Sequence, residues 1–282
     1  MINSLAKIRY QIKKFVIEFL NLKKFFISDV RDSLRIMMIH DTPKKDHYIY
    51  EKQIEFLLLN GWRPLDPKKF IENKIKKKKI IGKNLVITFD DGLKSNKGLA
   101  ERLKNKFGIK SIFFVPYSFV NMKKTKDIKK FCLNKLNIFK KKYYNLNLNL
   151  KDLRKLVLDG HVIGSHTINH LNLKNIVDIK QLKNEIAGSK RLLTKLTGKK
   201  VNVFAFTFGT LKDIDKKSLK ISLNNYDLIF SGIRGNNIKN NRILFRDEIN
   251  GNYSKYMCQS LLSGNIDFLY SSERKKLLKM SQ

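Results

Sequence analysis

The sequence predicts an α/β protein built on a parallel sheet or barrel, and three observations carry that reading. Apolar runs of strand length alternate with segments of helical spacing along most of the chain. Runs such as Leu85-Val86-Ile87 are apolar throughout, as an interior strand buried on both faces requires. Titratable residues then stand where several of these runs end, the place where βα folds gather functional groups. With 282 residues, 42% of them hydrophobic, the chain can bury a core for one barrel-sized domain or for two smaller ones.

Residues 1–30 read as an N-terminal amphipathic helical extension, and residues 31–282 as the main domain. In the extension Leu5, Ile8, Ile12, Phe15, Val16, Phe19 and Leu20 recur at helical spacing with lysines between them. Such a helix either packs on the domain or a partner, or lies on an anionic membrane surface. The main domain opens with a strand at Leu34–His40, followed by a helix at Tyr50–Trp62 that Gly61 stops. A strand at Leu85–Phe89, a helix at Lys97–Phe107 ended by Gly108 and the strand "SIFFV" come next. The Lys-rich stretch from Asn121 to Asn149 looks like an insertion. After it the pattern resumes: a helix in "LKDLRKLVLDG", a strand in "HVIGSH", a long helix from Asp178 to Gly198, the strand "VNVFAF", a helix at Lys212–Leu223 and the strand "YDLIFSG".

Lys and Arg number 59 against 24 Asp and Glu, a formal net charge of +35. That balance favours acidic partners such as anionic lipid, an anionic glycan or nucleic acid. The lysines are interleaved with Asn and Ile in nearly every segment, however, the pattern of a compositional bias and a solvated cationic surface. There is no interleaved Arg and aromatic face and no nucleic-acid-binding signature, so no nucleic-acid partner is expected. Cys132 and Cys258 are far apart, with neither a disulfide framework nor Cys-based zinc spacing. No apolar run approaches the ~18 residues of a membrane span. Lys7, Arg9, Lys13 and Lys14 interrupt any secretory h-region, so the expected location is cytoplasmic, with peripheral contact on the inner membrane face. G-x-S-x-G, Walker and G-x-G-x-x-G motifs are all missing.

Four strand ends carry candidate chemistry: His40 after "LRIMMI", Asp90 and Asp91 after "LVITF", His166 and His170 after "HVIGS", and the "FGT" loop after "VFAF". The histidines of "HTINH", four apart, suit two ligands on one divalent ion, and a carboxylate from elsewhere makes a third while leaving room for water. An Asp-Gly hairpin would explain "FDDG", but a helical segment follows instead of a second strand. Adjacent strand-end residues point to opposite sides, so one carboxylate can ligate while the other stays free as a base. An ion with its water would also compensate two charges at the end of an apolar strand.

"MMIHDTP", "ITFDDG" and "GSHTINH" resemble, in that order, the motifs of the polysaccharide deacetylase family (the NodB homology domain, carbohydrate esterase family 4), in its branch with a histidine motif ahead of TFDDG. The resemblance runs from about Ile36 to about Phe245. It implies a deformed (β/α) barrel of seven or eight strands and metal-dependent removal of N-acetyl or related acyl groups from sugars. Carried over by position, Asp91, His166 and His170 are the metal ligands, usually for zinc. Asp90 takes a proton from the attacking water, and His40 returns one to the departing amine. One motif departs from the family: "FAFTFGT" has Thr207 where Pro is usual and Ala205 where some members have Arg. The backbone N–H of Phe208 still suits an oxyanion, since that role is independent of the side chain. The arginine that would orient Asp90 is then unassigned, with Arg234 of "FSGIRGNN" the candidate. The expected substrate is an N-acetylated sugar or a lipid- or nucleotide-linked saccharide of surface polysaccharide or lipopolysaccharide assembly; the alternative is a catalytically inactive, deacetylase-like glycan-binding protein.

Overall fold

The computed structural model describes residues 32–140, 142–239 and 241–282, and the expected helical extension at residues 1–30 lies outside them. The described residues form nine strands: β1 (Ser33–Ile39), β2 (Arg63–Pro64), β3 (Lys83–Phe89), β4 (Ser111–Val115), β5 (Val162–Ser165), β6 (Val203–Ala205), β7 (Leu228–Phe230), β8 (Ile243–Leu244) and β9 (Asp247–Glu248). Every pairing between them is parallel, in the order β8-β7-β6-β5-β4-β3-β1-β9. β1 pairs along all seven residues of β3, while β4 takes Ile87–Phe89. β2 meets β3 at Asn84 and Leu85, below β4 on the same edge.

The two ends of this order, β8 and β9, are separated in the chain by Phe245 and Arg246 alone. The backbone therefore steps from the edge beside β7 to the edge beside β1 within a few residues. This step closes the curled sheet into the deformed (β/α) barrel that the sequence predicts.

Strand residues alternate between two apolar layers. Ile36, Val86, Ile112, Phe114, Val203, Ala205, Phe230 and Leu244 meet inside the ring, and Phe70 and Ile71 of the helix Pro67–Ile75 join them. That helix is fixed by Asp66, whose side chain accepts from the Lys68 and Lys69 N–H groups, and by Pro67 in its first turn. The opposite layer brings Met37, Ile39, Ile87, Phe89, Phe113 and Phe204 against Ile54, Leu57, Leu99, Leu103, Leu153 and Leu193 of the surrounding helices. Each such side chain contributes roughly 1.5–3 kcal/mol on burial, and with both faces covered the strands are mainly apolar on both sides.

The stretch from Asn121 to Asn149 is an ordered elaboration with its own small core, where Phe131 of the helix Thr125–Lys135 stacks on Phe119 with ring centroids 4.7 Å apart. Leu93, just beyond "FDDG", belongs to that core and bridges to Asn147. The helix expected from Asp178 to Gly198 is divided into Ile179–Lys183, a π-helical turn at Asn184–Gly188, and Ser189–Thr197. Cys132 and Cys258 are free, buried thiols, which burial pushes up to about 11 and about 12. No helix among the described residues is long and apolar enough to cross a membrane.

Candidate active site

The carboxyl ends of the parallel strands open on one mouth. Ile39 pairs with Phe89, and the Asp90 N–H continues the ladder by donating to the Ile39 carbonyl at 3.0 Å, so His40 lies abreast of Asp90. Two left-handed residues in succession, Asp91 (φ 71°) and Gly92 (φ 70°), then turn the chain away. Asp tolerates that conformation better than most residues. Gly92 combines it with tight space, since a Cβ there would stand 3.1 Å from Val120 Cγ1.

This turn modifies the expectation that the two carboxylates diverge. Both approach the same imidazole: His166 Nε2 is 3.9 Å from Asp90 Oδ2 and 3.7 Å from Asp91 Oδ1. His170 Nε2 is 3.2 Å from the same Asp91 oxygen. One donor atom each from Asp91, His166 and His170 falls within 4.8 Å of the others, and all three residues are buried. Thr167 (φ 66°), His170 (φ 52°) and Phe208 (φ 64°) join Asp91 in the left-handed region, so strained backbone concentrates at this mouth.

The donor set fits a divalent cation. His166 Nδ1 lies 2.8 Å from the Ala205 carbonyl, which can only accept; that nitrogen therefore carries the proton, and the Nε2 lone pair faces the two carboxylates. Burial pushes the His166 imidazole down to about 4, more than Asp90 and Asp91 raise it, and keeps the ring neutral as a ligand must be. Burial alone would raise the Asp91 carboxyl, but the hydrogen bond from His170 and the imidazoles of His40, His170 and His166 outweigh it and hold the group well below the usual carboxylate range. Two imidazole nitrogens and one carboxylate oxygen are donor types that divalent cations accept.

Asp90 is held differently. Its Oδ1 accepts from Arg246 Nη1 at 2.7 Å. Arg246, itself buried, donates through Nε to the Ser231 carbonyl and lies over the Phe114 ring at 5.3 Å. The Asp90 carbonyl accepts from Asn96 Nδ2, whose Oδ1 accepts from the Thr42 hydroxyl, tying the His40 loop to the "FDDG" loop. Next to His40, Asp41 accepts from Ser95 Oγ and pairs with Lys140 of the 121–149 elaboration.

Arg234 is not the arginine of Asp90, and this corrects the sequence-based assignment. Its Nη1 donates to Asp247 Oδ1 at 2.8 Å, and Asp247 also accepts from Arg35 Nε at 2.7 Å. These groups form a buried ionic staple between β1 and the C-terminal segment. Arg246 reaches Asp90 because it occupies the crossing between β8 and β9, where the two edges of the curled sheet meet. The missed signal was "ILFRDEI": an arginine within an apolar run needs a buried acid as much as Asp90 needs a cation.

Phe208 follows β6 in the loop where the motif departs from the family. It is 50% exposed, and its ring stands edge-on to His170 with centroids 5.3 Å apart. Thr207, in the usual proline position, ties the loop by donating from Oγ1 to the Leu171 carbonyl at 2.6 Å, just beyond His170.

The family model "Polysaccharide deacetylase" matches residues 77–224, more than half of the chain. That span holds Asp90, Asp91, His166, His170 and Phe208 and leaves out both His40 and Arg246. A provisionally named polysaccharide deacetylase of Bacillus subtilis (strain 168), YxkH, is 26% identical over 203 residues, covering 67% of this chain and 63% of the relative. The present chain thus spans under two thirds of the length of that curated relative. Among solved structures, the Streptococcus pyogenes deacetylase PplD in complex with acetate aligns over 83% of this chain and 99% of its own, at 18% identity and a TM-score of 0.64. IcaB from Ammonifex degensii aligns over 82% and 97%, at 17% identity and a TM-score of 0.64. At such identities these two structures speak for the fold. The matched span and the fold agree, and the chain belongs to the polysaccharide deacetylase family.

Proposed function

We propose that the protein is a metal-dependent hydrolase that removes N-acetyl or related acyl groups from a carbohydrate. The observation that carries this reading is the convergence of Asp91, His166 and His170 donor atoms within 4.8 Å, with Asp90 at their flank. These three residues would hold the ion, most readily Zn2+ given two imidazoles and one carboxylate. When bound, such an ion supplies Lewis acidity at an acyl carbonyl and lowers the pKa of water.

The chain's own groups divide the remaining work. Asp90, with one oxygen engaged by Arg246, keeps its other oxygen toward the His166 side and is the proton acceptor for water. The Phe208 N–H is the donor for the developing oxyanion, presented by a left-handed backbone. His40, on the neighbouring strand end, is the proton donor to the departing amine; an imidazole suits that role near neutral pH. The cationic surface supports a substrate joined to phosphate, such as a nucleotide- or lipid-linked saccharide handled at the inner membrane face.

The test is acetate release from N-acetylated sugar nucleotides and lipid-linked saccharides by Zn2+-loaded protein, with and without chelator. Release that stops with chelator is the expected result. Release unaffected by chelator overturns the metal assignment, and saccharide binding without release on any of them turns the reading to a glycan-binding relative.

A further inference from the structure

The π-helical turn at Asn184–Gly188 sits inside an otherwise α-helical segment. Such a turn admits one residue more than the α repeat, and so changes which side chain meets the neighbouring element. Here it buries Glu185 against the "HTINH" loop. The Glu185 Oε2 atom accepts from the backbone N–H groups of Ile168 at 3.0 Å and Asn169 at 2.9 Å, and Oε1 accepts from Asn169 Nδ2 at 2.6 Å. No cation pairs with this carboxylate among the described residues, so the loop's donors alone compensate its burial.

The same turn supports the loop by shape. A Cβ on Gly188 would stand 3.3 Å from Ile168 Cδ1 and 2.5 Å from Asn184 Oδ1, so the missing side chain is what lets the turn close under Ile168. From the other side, Ser118 Oγ donates to Asn169 Oδ1 at 2.7 Å and its N–H donates to the Ile168 carbonyl at 2.9 Å. The loop so gripped contains left-handed Thr167 and His170, a conformation that persists only where surrounding contacts over-determine it.

We propose that Glu185 is the positioning residue of the two-histidine loop, fixing His166 and His170 at the spacing that grips a divalent ion and placing a buried negative charge behind that ion. Outer groups that orient first ligands and offset a cation's charge set affinity as well as geometry. This inference rests on the reading of Asp91, His166 and His170 as a metal site.

The test compares wild type with Glu185→Ala and Glu185→Gln in two measurements: Zn2+ affinity of metal-free protein by competition with a chromogenic chelator, and amide hydrogen exchange across residues 166–170 without metal. Glu185→Ala should weaken Zn2+ about 10- to 100-fold, alter the visible absorption bands of the Co2+-loaded protein, and speed exchange at Ile168 and Asn169 while β1, β3 and β4 stay protected. Glu185→Gln keeps an oxygen for the two backbone N–H groups but turns its amide against that of Asn169, and should weaken Zn2+ severalfold. Zn2+ affinity within twofold of wild type and unchanged loop exchange in Glu185→Ala overturn the proposal. Where Glu185→Ala does not fold, the same result for Glu185→Gln overturns it. Should wild type bind no divalent ion, the metal reading falls, and the exchange data alone still decide whether Glu185 holds the loop.

Discussion

Arg246 Nη1 donates to Asp90 Oδ1 at 2.7 Å across 156 residues of sequence, and both side chains are buried. Removing one member of a buried pair strands the other charge and costs about 3–5 kcal/mol. Arg246→Met should therefore lower thermal stability sharply and slow turnover, while Arg246→Lys keeps the charge but loses the donors to Ser231. An Arg246→Met protein with wild-type melting temperature and turnover would show that the pair is dispensable.

Metal retention and catalysis should separate cleanly among the acids. Asp91→Ala and His170→Ala are expected to lose stoichiometric Zn2+ together with acetate release. Asp90→Asn should keep the ion and lose about 10²- to 10⁴-fold in rate, the range of a positioned general base. Metal analysis of the purified variants beside a rate assay checks the distinction; an Asp91→Ala protein with full zinc content contradicts the ligand set.

Acid should destabilise the metal-free fold through buried histidines. His161, which accepts from the Ser111 N–H through Nδ1, is pushed down to about 4 by burial. Its folded value lies below its unfolded value of about 6.5, so the unfolded chain takes up the proton first. The stability this neutral ring contributes is complete above pH 6.5 and is lost as pH falls from there through about 4, amounting to about 3 kcal/mol. His166, lowered by burial to a similar value, acts in the same window. Unfolding free energy measured against pH should fall over that interval, and His161→Asn, which offers an oxygen to Ser111, should make the fall shallower. Equal slopes for wild type and His161→Asn would remove His161 from the account.

Asp247 joins the C-terminal segment to the first strand through Arg35 and Arg234 and is itself fully buried. Asp247→Ala leaves Arg234 without its acid and Arg35 with Asp267 alone, with a loss of about 3–5 kcal/mol. Denaturant unfolding reads this directly. A midpoint close to wild type would mean that the staple adds nothing to barrel closure.

The parts of the fold that were legible in the sequence are those where one residue pattern has one physical outcome. β3 and β4 carry the apolar runs Leu85–Ile87 and Ile112–Val115 because helices and barrel interior cover both faces, and such runs can be read without neighbours. That Asp90 and Asp91 meet compensating groups was accessible by the same logic, since charge at an apolar strand end needs compensation; that both approach His166 was not, because it follows from the left-handed turn at Asp91 and Gly92. β8 and β9 hold two residues each, too short for any periodicity, and Arg246 between them escaped notice for that reason. Arg234 stands where a later strand ends, which made it the candidate, but its acid, Asp247, lies in the β8–β9 segment. The π-helical turn was equally hidden, because "KNEIAGSK" has ordinary helical composition and the hydrogen bonds of Glu185 to Ile168 and Asn169 come from a distant loop.

The step from β8 to β9 also sets a timetable for the chain as it is made. A nascent polypeptide has presented Asp91, His166 and His170 long before Arg246 leaves the ribosome, and until then Asp90 has no guanidinium to meet. Ring closure and the pairing of Asp90 with Arg246 are therefore one event, and a late one in synthesis.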